Sequence, residues 1–319
     1  MRRLGQLVLL VLVLVLVTGV VFYERPVWVA TQGTHFGLFL ARVQSNYVLT
    51  PEGRVHYYEG EASVPGGGIP LVLVHGLADR DESWAPMLKR LKRAGFHVYA
   101  PDLLGYGRSP KPDVSYSISL QEQTVAQFMQ AVHVPRADVG GWSMGGWIVM
   151  KLALDHPEMV DRLIVYDSAG VYFPATFEPD LFTPHDVAGV RKLISMLTPN
   201  PRNVPDFAAE AMVRKLQANA WVVNRSTASM VAGKDLLDFR LHNISQPMLI
   251  VWGSKDELIP LASGETIHRS VPQSVLDIIE GCGHLAPAEC AKPVLEGTVQ
   301  FLRAQPPMHG GERTFPAGF

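Results

Sequence analysis

The chain has 319 residues, of which 47% are hydrophobic and 18% are charged, with a formal net charge of -2 and an isoelectric point near 6.6. This length and composition predict one large globular domain, with or without an insertion, and exclude a disordered chain. The charge is close to neutral and forms no broad basic field, so no nucleic-acid partner is expected.

The N-terminus is the most apolar part of the chain. No charged residue occurs from Leu4 to Tyr23, and two arginines precede this stretch. A helix of this length matches the hydrocarbon core of a bilayer, about 30 Å thick. We therefore predict that residues 1–30 are a membrane anchor that keeps the arginines in the cytoplasm and places the rest of the chain in a periplasm or lumen. A cleaved signal peptide, which would give a secreted protein, is the alternative, although cleavage after Ala30 would place Trp28 where a small residue is preferred.

Strand and helix patterns alternate after this segment. Two β-rich runs on either side of Pro51-Glu52-Gly53 predict a hairpin, and apolar runs typical of buried parallel strands follow it. Helical patterns separate these runs, which predicts a mostly parallel sheet with helices on both faces. The eight predicted strands are residues 42–49, 54–60, 69–76, 96–100, 137–142, 162–167, 246–253 and 274–281.

The alternation breaks once, between residues 171 and 241. This segment contains six prolines and several helical patterns but no convincing strand. It predicts a helical cap inserted into a core made of residues 40–170 and 242–303. The final residues, 304–319, have turn formers without periodicity and are predicted to be a flexible tail.

The two cysteines, Cys282 and Cys290, lie close together near the C-terminal end. No metal-ligand spacing includes them, and no His-Glu-x-x-His motif occurs, so neither a metal site nor a cofactor is predicted. Two free thiols are slightly favoured over a disulfide, which an oxidising compartment would allow.

One serine lies at a predicted strand-to-helix turn. The run Gly141-Trp142-Ser143-Met144-Gly145 matches G-x-S-x-G. A sharp turn of this kind strains the backbone, leaves no room for side chains at the flanking glycines and lifts the hydroxyl clear of the sheet. The motif therefore predicts that Ser143 is a nucleophile.

A serine nucleophile needs a base and an orienting carboxylate. In the chain order serine, acid, histidine, both should follow later strands, at the sheet edge where ligands bind. Asp256 and His284 each follow a predicted strand and are the candidates for acid and base. Asp167 is the substitute acid, and Glu257 is a weaker one.

Acyl transfer also needs donors for the oxyanion. The predicted donors are the backbone N–H of Met144, at a helix N-terminus, and that of Leu77, in the loop after strand 69–76. His75 is expected to hydrogen-bond within the same loop rather than to act as a second base.

Three further acids receive structural roles. Asp102 is expected to order the turn after its strand. Asp79 and Asp81 are expected to be exposed loop residues.

Six motifs occur in the order typical of the α/β-hydrolase superfamily, over roughly residues 40–303. They are LVLVHGLADRDESW, YAPDLLGYGRSPKP, GGWSMGG, IVYDSAG, IVWGSKDELIP and GCGHLAPAE. Within the superfamily the chain resembles membrane-anchored monoacylglycerol lipases of the α/β-hydrolase domain-containing protein six type and the bacterial family V lipases. The N-terminal anchor, DSAG before a helical cap, LISMLTP within it and the closing CGH carry this resemblance.

The resemblance implies an α/β-hydrolase fold and hydrolysis of carboxylic esters, with Ser143, Asp256 and His284 as nucleophile, acid and base. The last loop departs from the family pattern, because ECAKP replaces the usual Glu-x-Pro after the histidine. Haloalkane dehalogenases and epoxide hydrolases have an aspartate at the elbow, where this chain has Ser143.

An apolar cap and a membrane anchor predict a small-molecule lipid or ester substrate, such as a monoacylglycerol. Phe173 and Phe177 of the cap, and Trp142 beside the nucleophile, are the candidate substrate contacts. The alternatives are a short-chain carboxylesterase, a carbon–carbon bond hydrolase with a similar triad, and a hydrolase-fold binding protein without activity.

Overall fold

The computed structural model describes residues 2–64 and 66–317. Two helices open the chain, α1 (Arg2–Glu24) and α2 (Pro26–Leu40). The chain bends between them because Pro26 lacks the N–H that a continuous helix would require. No single helix among the described residues is both long and apolar enough to cross a membrane. The segments Leu9–Glu24 and Pro26–Leu40, which meet at 106°, pass such a test of length and hydropathy only as a pair.

A nine-stranded sheet forms the centre of the molecule, with the order β1-β2-β4-β3-β5-β6-β7-β8-β9. The β1–β2 and β2–β4 pairs are antiparallel, and all the others are parallel. Each of the eight predicted strands is present. The strands are β1 (Gln44–Thr50), β2 (Gly53–Gly60), β3 (Ile69–Val74), β4 (Phe96–Pro101), β5 (Ala137–Trp142), β6 (Val160–Tyr166), β7 (Met248–Gly253), β8 (Val275–Ile279) and β9 (Glu312–Phe315).

The ninth strand, β9, corrects the prediction of a flexible tail over residues 304–319. It pairs in parallel with β8 at the sheet edge. Arg313 donates two hydrogen bonds of 2.6 Å to the carboxylate of Asp277, which lies on β8. This bidentate contact and the pairing with β8 stabilise β9, although its hydrophobic pattern does not indicate a strand.

Helices cover both faces of the sheet and build two apolar cores. The helices after α2 are α3 (Ala85–Arg93), α4 (Ile118–Ala131), α5 (Met144–Asp155), α6 (Val187–Leu197), α7 (Asp206–Gln217), α8 (Ala220–Val231), α9 (Leu261–Ser270), α10 (Ala286–Glu289) and α11 (Ala291–Arg303). Side chains of α4, α5 and α9 belong to one core, and those of α3 and α11 to the other. Helices α6, α7 and α8 lie between the neighbouring strands β6 and β7, and the described residues contain no strand between those two.

Candidate active site

Ser143 forms the turn between β5 and α5 with a left-handed backbone, φ 56° and ψ -120°. A Cβ placed at Gly141 would lie 2.1 Å from the carbonyl oxygen of Gly145, and one at Gly145 would lie 2.2 Å from that of Val74. Only glycine fits at these two positions. The turn is held to β6 by a hydrogen bond of 2.9 Å from the Ser143 N–H to the Tyr166 carbonyl.

His284 and Asp256 are brought together from the loops after β8 and β7. The distance from His284 Nδ1 to Asp256 Oδ2 is 2.8 Å, and the two side chains are nearly fully buried. The second carboxylate oxygen of Asp256 accepts hydrogen bonds of 2.9 Å from the N–H groups of Leu258 and Ile259. Because Nδ1 is bonded to the acid, Nε2 is the nitrogen of His284 that can accept a proton. His284 and Ser143 line the same pocket.

The loop that carries His284 is fixed on several sides. The indole N–H of Trp142 donates to the His284 carbonyl over 2.8 Å, and the Lys255 N–H donates to the Cys282 carbonyl over 2.8 Å. A disulfide joins Cys282 to Cys290, and both residues are buried. The slight preference for free thiols is therefore wrong, because this loop folds back onto the start of α11 and brings the two side chains together.

The substitute acids lie differently. Asp167 Oδ1 accepts a hydrogen bond of 2.7 Å from the Gly253 N–H, and within the described residues none of the side-chain hydrogen bonds or ion pairs of Asp167 involves His284. Burial raises the pKa of Asp167 well above its usual value, and the nearby charge of Asp256 raises it further. Glu257 is exposed. The geometry favours Asp256 as the partner of His284.

The predicted oxyanion donors flank the nucleophile. Met144 is the first residue of α5, and Leu77 lies in the loop after β3. A Cβ placed at Gly76 would lie 3.1 Å from Ser143 Cβ, so this loop runs directly beside the serine. Among the described residues, none accepts a hydrogen bond from the Leu77 N–H, which leaves that group free to bind a substrate oxygen.

His75 stabilises the same loop. Its Nε2 accepts a hydrogen bond of 3.0 Å from the Leu103 N–H. Its Nδ1 therefore carries the proton and donates to the Gly76 carbonyl over 2.8 Å. Both ring nitrogens are used, which agrees with a structural role and leaves neither for proton transfer.

Asp102 orders the turn after β4, as predicted, by accepting hydrogen bonds from the N–H groups of Asp81 (3.0 Å) and Arg108 (2.8 Å). Asp81 itself is fully buried, which corrects the expectation of an exposed residue. It lies 2.6 Å from His56 Nδ1, and Asp102 Oδ2 lies 3.2 Å from the same atom.

Within the part of the chain that the structure describes, the buried His56–Asp81–Asp102 cluster is the one group of side chains that could hold a metal ion, since its ligand atoms lie within 4.8 Å of one another. Burial lowers the pKa of His56, but hydrogen bonds to Asp102 and Asp81 outweigh this and raise it overall. Burial raises the pKa of Asp102, yet the His56 contact and its backbone donors bring it down to about 2. Arg108 Nη2 lies 3.9 Å from Asp81 Oδ1. A protonated His56 and Arg108 together balance the two carboxylates, so we interpret the cluster as a structural ion-pair network.

A pocket of about 1000 Å³ opens above Ser143. Helix α2 forms one of its walls, a role that the sequence did not suggest. Trp142, a predicted substrate contact, also lines this pocket. The apolar lining comes mostly from α2, the loop after β3 and the segment between β6 and β7, and Leu285 joins it from the loop after β8. Besides Trp142, its larger members are Val27, Leu38, Leu40, Leu77, Phe182, Leu193, Leu197, Met212, Leu216 and Leu285.

The two predicted phenylalanine contacts lie elsewhere. Phe173 lines a separate cavity of about 300 Å³ beside Asp256. Phe177 packs edge-to-face on Phe182, with ring centroids 5.9 Å apart, and is not among the described residues that line the large pocket. Phe182 faces the pocket instead. The sequence places all three aromatics in one irregular proline-rich segment, where no periodicity separates those that face the serine from those that do not.

This sheet, with a serine at the elbow and a histidine–carboxylate pair on the same edge, defines a hydrolase. Residues 69–289 match the family described as alpha/beta hydrolase fold, and the chain belongs to that family.

Three known proteins illustrate the similarity. A 2-hydroxymuconate semialdehyde hydrolase of Pseudomonas sp. (strain CF600) is 30% identical over 241 residues, which cover 71% of this chain and 84% of that protein. Lipase 1 of Psychrobacter immobilis is 27% identical over 238 residues, which cover 70% of this chain and 73% of the lipase. A membrane phospholipase A of known crystal structure, described as a bacterial virulence factor, is 26% identical in sequence to this chain. The two structures superpose over 95% of this chain and 98% of the phospholipase chain, with a TM-score of 0.78.

Proposed function

We propose that the chain is a serine hydrolase of lipid esters, with monoacylglycerols as the leading substrates. Ser143 attacks the ester carbonyl while His284 accepts its proton at Nε2. Asp256 holds the other ring nitrogen and stabilises the imidazolium. The N–H groups of Leu77 and Met144 stabilise the oxyanion. His284 then protonates the leaving alcohol, and an activated water releases the fatty acid from Ser143.

The observation that carries this proposal is the apolar pocket above Ser143. Its volume of about 1000 Å³ lies at the upper end of the range for small-molecule sites. Leucine, methionine and phenylalanine side chains line it next to the serine, which favours a long acyl chain over a short or strongly polar one. The similarity to a lipase and to a membrane phospholipase A points the same way.

We also propose that α1 anchors the enzyme in a membrane, with the catalytic domain on the non-cytoplasmic side. The two arginines before the apolar stretch favour this orientation. The Cys282–Cys290 disulfide fits an oxidising compartment. N-terminal sequencing of protein isolated from the membrane fraction tests retention of the anchor; a first residue beyond Ala30 in secreted protein would overturn it.

A panel of p-nitrophenyl esters of graded chain length, together with monoacylglycerol, tests the substrate class. We expect cleavage of monoacylglycerol and higher kcat/KM for medium and long acyl chains than for acetate. Preference for acetate without monoacylglycerol cleavage would overturn the lipid-ester proposal. Labelling by a fluorophosphonate probe, present in the wild type and absent in Ser143→Ala, tests the nucleophile itself; an unlabelled wild type would indicate a binding protein.

A carbon–carbon bond hydrolase is the second candidate, favoured by the 30% identity to 2-hydroxymuconate semialdehyde hydrolase. The same panel separates the two, if 2-hydroxymuconate semialdehyde is added as a substrate. Turnover of that compound at a higher kcat/KM than any ester would support the second candidate.

A further inference from the structure

The outer face of α2 is apolar and uncovered. Its large side chains are highly exposed, at 52% for Trp28, 63% for Phe36 and 74% for Phe39. Leu40, which is 63% exposed, also lines the pocket. From Pro26 to Leu40 the helix has no aspartate, glutamate, lysine or arginine. Exposed aromatic side chains in such number on one helix indicate an interaction surface.

The inner face of α2 is fixed to the catalytic domain, so the direction of the outer face is fixed as well. His35 Nε2 lies 2.6 Å from Glu82 Oε1, and Arg80 donates to the Thr31 hydroxyl over 3.0 Å. Leu38 is buried in the core that also contains α3. These contacts hold α2 as a rigid element of the domain rather than as a free linker.

The end of α1 is held in a similar way. The rings of Phe22 and Tyr23 pack on Phe207 of α7, with centroids 6.1 and 5.0 Å apart. Because α1 and α2 meet at 106°, a bilayer crossed by α1 would have α2 lying nearly parallel to its surface. Helices that lie in the interface carry tryptophan and phenylalanine on the lipid side, and α2 carries both residue types on its exposed face.

The pocket opens beside this face. The exposed residues of its lining lie on α2, α3, α7 and α10, and those on α3 and α7 include Lys89, Arg90 and Lys215. In the described part of the chain, none of these three cations has a carboxylate within 4.0 Å. A cationic rim next to an apolar face matches an anionic headgroup layer above acyl chains.

We propose that the outer face of α2, together with Lys89, Arg90 and Lys215, is a docking surface for an anionic phospholipid bilayer, so that the pocket above Ser143 opens directly onto the lipid. This inference rests on the proposed lipid-ester activity and membrane placement. It adds that the catalytic domain itself contacts lipid, with α2 serving both as the pocket wall and as the membrane contact.

Tryptophan quenching in the full-length chain tests the contact. The protein is reconstituted into vesicles of phosphatidylglycerol and phosphatidylcholine that are brominated in their acyl chains. The emission of Trp28 is obtained as the difference between the wild type and Trp28→Phe. We expect this emission to fall at least twofold relative to unbrominated vesicles. Trp221, which is 41% exposed on α8, provides the matched control through Trp221→Phe, and its emission should not change.

An unquenched Trp28 in protein that still floats with the vesicles would overturn the docking surface while leaving the anchor intact. If the wild type cleaves no ester at all, the proposed function fails, yet the quenching result can still be read. The two failures are therefore distinguishable.

Two variants test the consequence for catalysis. The double variant Phe36→Ser with Phe39→Ser removes apolar area that does not line the pocket. We expect it to hydrolyse lipid esters in vesicles at least tenfold more slowly and a soluble p-nitrophenyl ester at the wild-type rate. Equal rates of vesicle hydrolysis would contradict the proposal.

The charge requirement is tested by Lys89→Gln with Arg90→Gln. This variant should lose the preference for vesicles that contain phosphatidylglycerol over pure phosphatidylcholine. Arg269→Gln, which removes an exposed cation from α9, is the matched control and should keep it. A preference that persists in the double variant, or that the wild type lacks, would overturn the anionic part of the proposal.

Discussion

Removal of the disulfide between Cys282 and Cys290 should weaken both the stability and the catalysis of this enzyme. The two residues are eight positions apart, and the proposed base, His284, lies inside the loop that they close. Closing a loop of this length is worth about 2.5 kcal/mol in unfolded-chain entropy at 25 °C. For a domain of this size, such a loss lowers Tm by roughly 5 °C.

Removing the disulfide should lower kcat less than removing the base His284 itself would. The hydrogen bonds from the Trp142 indole and from the Lys255 N–H still hold the loop after the disulfide is gone. We expect kcat to fall roughly tenfold, because small displacements of a base are costly. KM should change less, because this loop contributes only Leu285 and Ala288 to the apolar lining of the pocket.

The assay compares Cys282→Ala, Cys290→Ala and the double variant with the wild type, with and without reductant. Either single change abolishes the cross-link, so each should lose nearly as much stability as the double variant. Reduced wild type is the control that keeps both buried side chains. If reduction and the double variant leave Tm and kcat unchanged, the reasoning about this loop is refuted.

Three further predictions follow from the site and its surroundings. Asp256→Asn should lower kcat by about 10³- to 10⁴-fold, because an amide favours the wrong His284 tautomer. Asp167→Asn should lower kcat less than tenfold, because burial already raises the pKa of Asp167 and favours its neutral form. Steady-state kinetics of both variants tests this prediction, and equal losses of kcat would contradict it. Burial raises the pKa of Asp138 to about 7. The folded state therefore loses stability as the pH rises from 4 to 7, because the unfolded chain ionises Asp138 while the folded protein keeps it neutral. Asp138→Asn should raise the free energy of unfolding by up to about 4 kcal/mol at pH 8 and hardly at pH 4, as measured by denaturant unfolding. Leu216→Trp, which fills part of the pocket, should shift the best p-nitrophenyl ester to a shorter acyl chain without changing the rate for acetate, and an unchanged profile would place the acyl chain elsewhere.

The features that local sequence determines were predictable. The strained turn at Ser143 needs glycine at fixed positions, and the order of the sheet then places Asp256 and His284 at the same edge. Most of the buried parallel strands are continuous apolar runs, so the local hydrophobic pattern of the sequence is enough to locate them.

The features that depend on distant contacts were not predictable. Asp81 lies in a hydrophilic run, and only the approach of His56 from β2 explains its burial. The strand β9 is four residues long and depends on Arg313 reaching Asp277, 36 positions earlier. The spacing of the two cysteines allows either free thiols or a disulfide, and only the fold of the loop decides between them.

The sequence of helix α2 does not distinguish its pocket-lining face from its exposed face. Both of its faces are apolar, so hydrophobic periodicity cannot separate the side that lines the pocket from the side that is exposed. The structure separates them, because Val27 and Leu38 face the pocket while Trp28 and Phe39 point outward. Cleavage after Ala30 would remove Val27 from the pocket wall together with all of α1. The α2 wall of the pocket therefore supports the proposal that the N-terminal segment is retained rather than cleaved after Ala30.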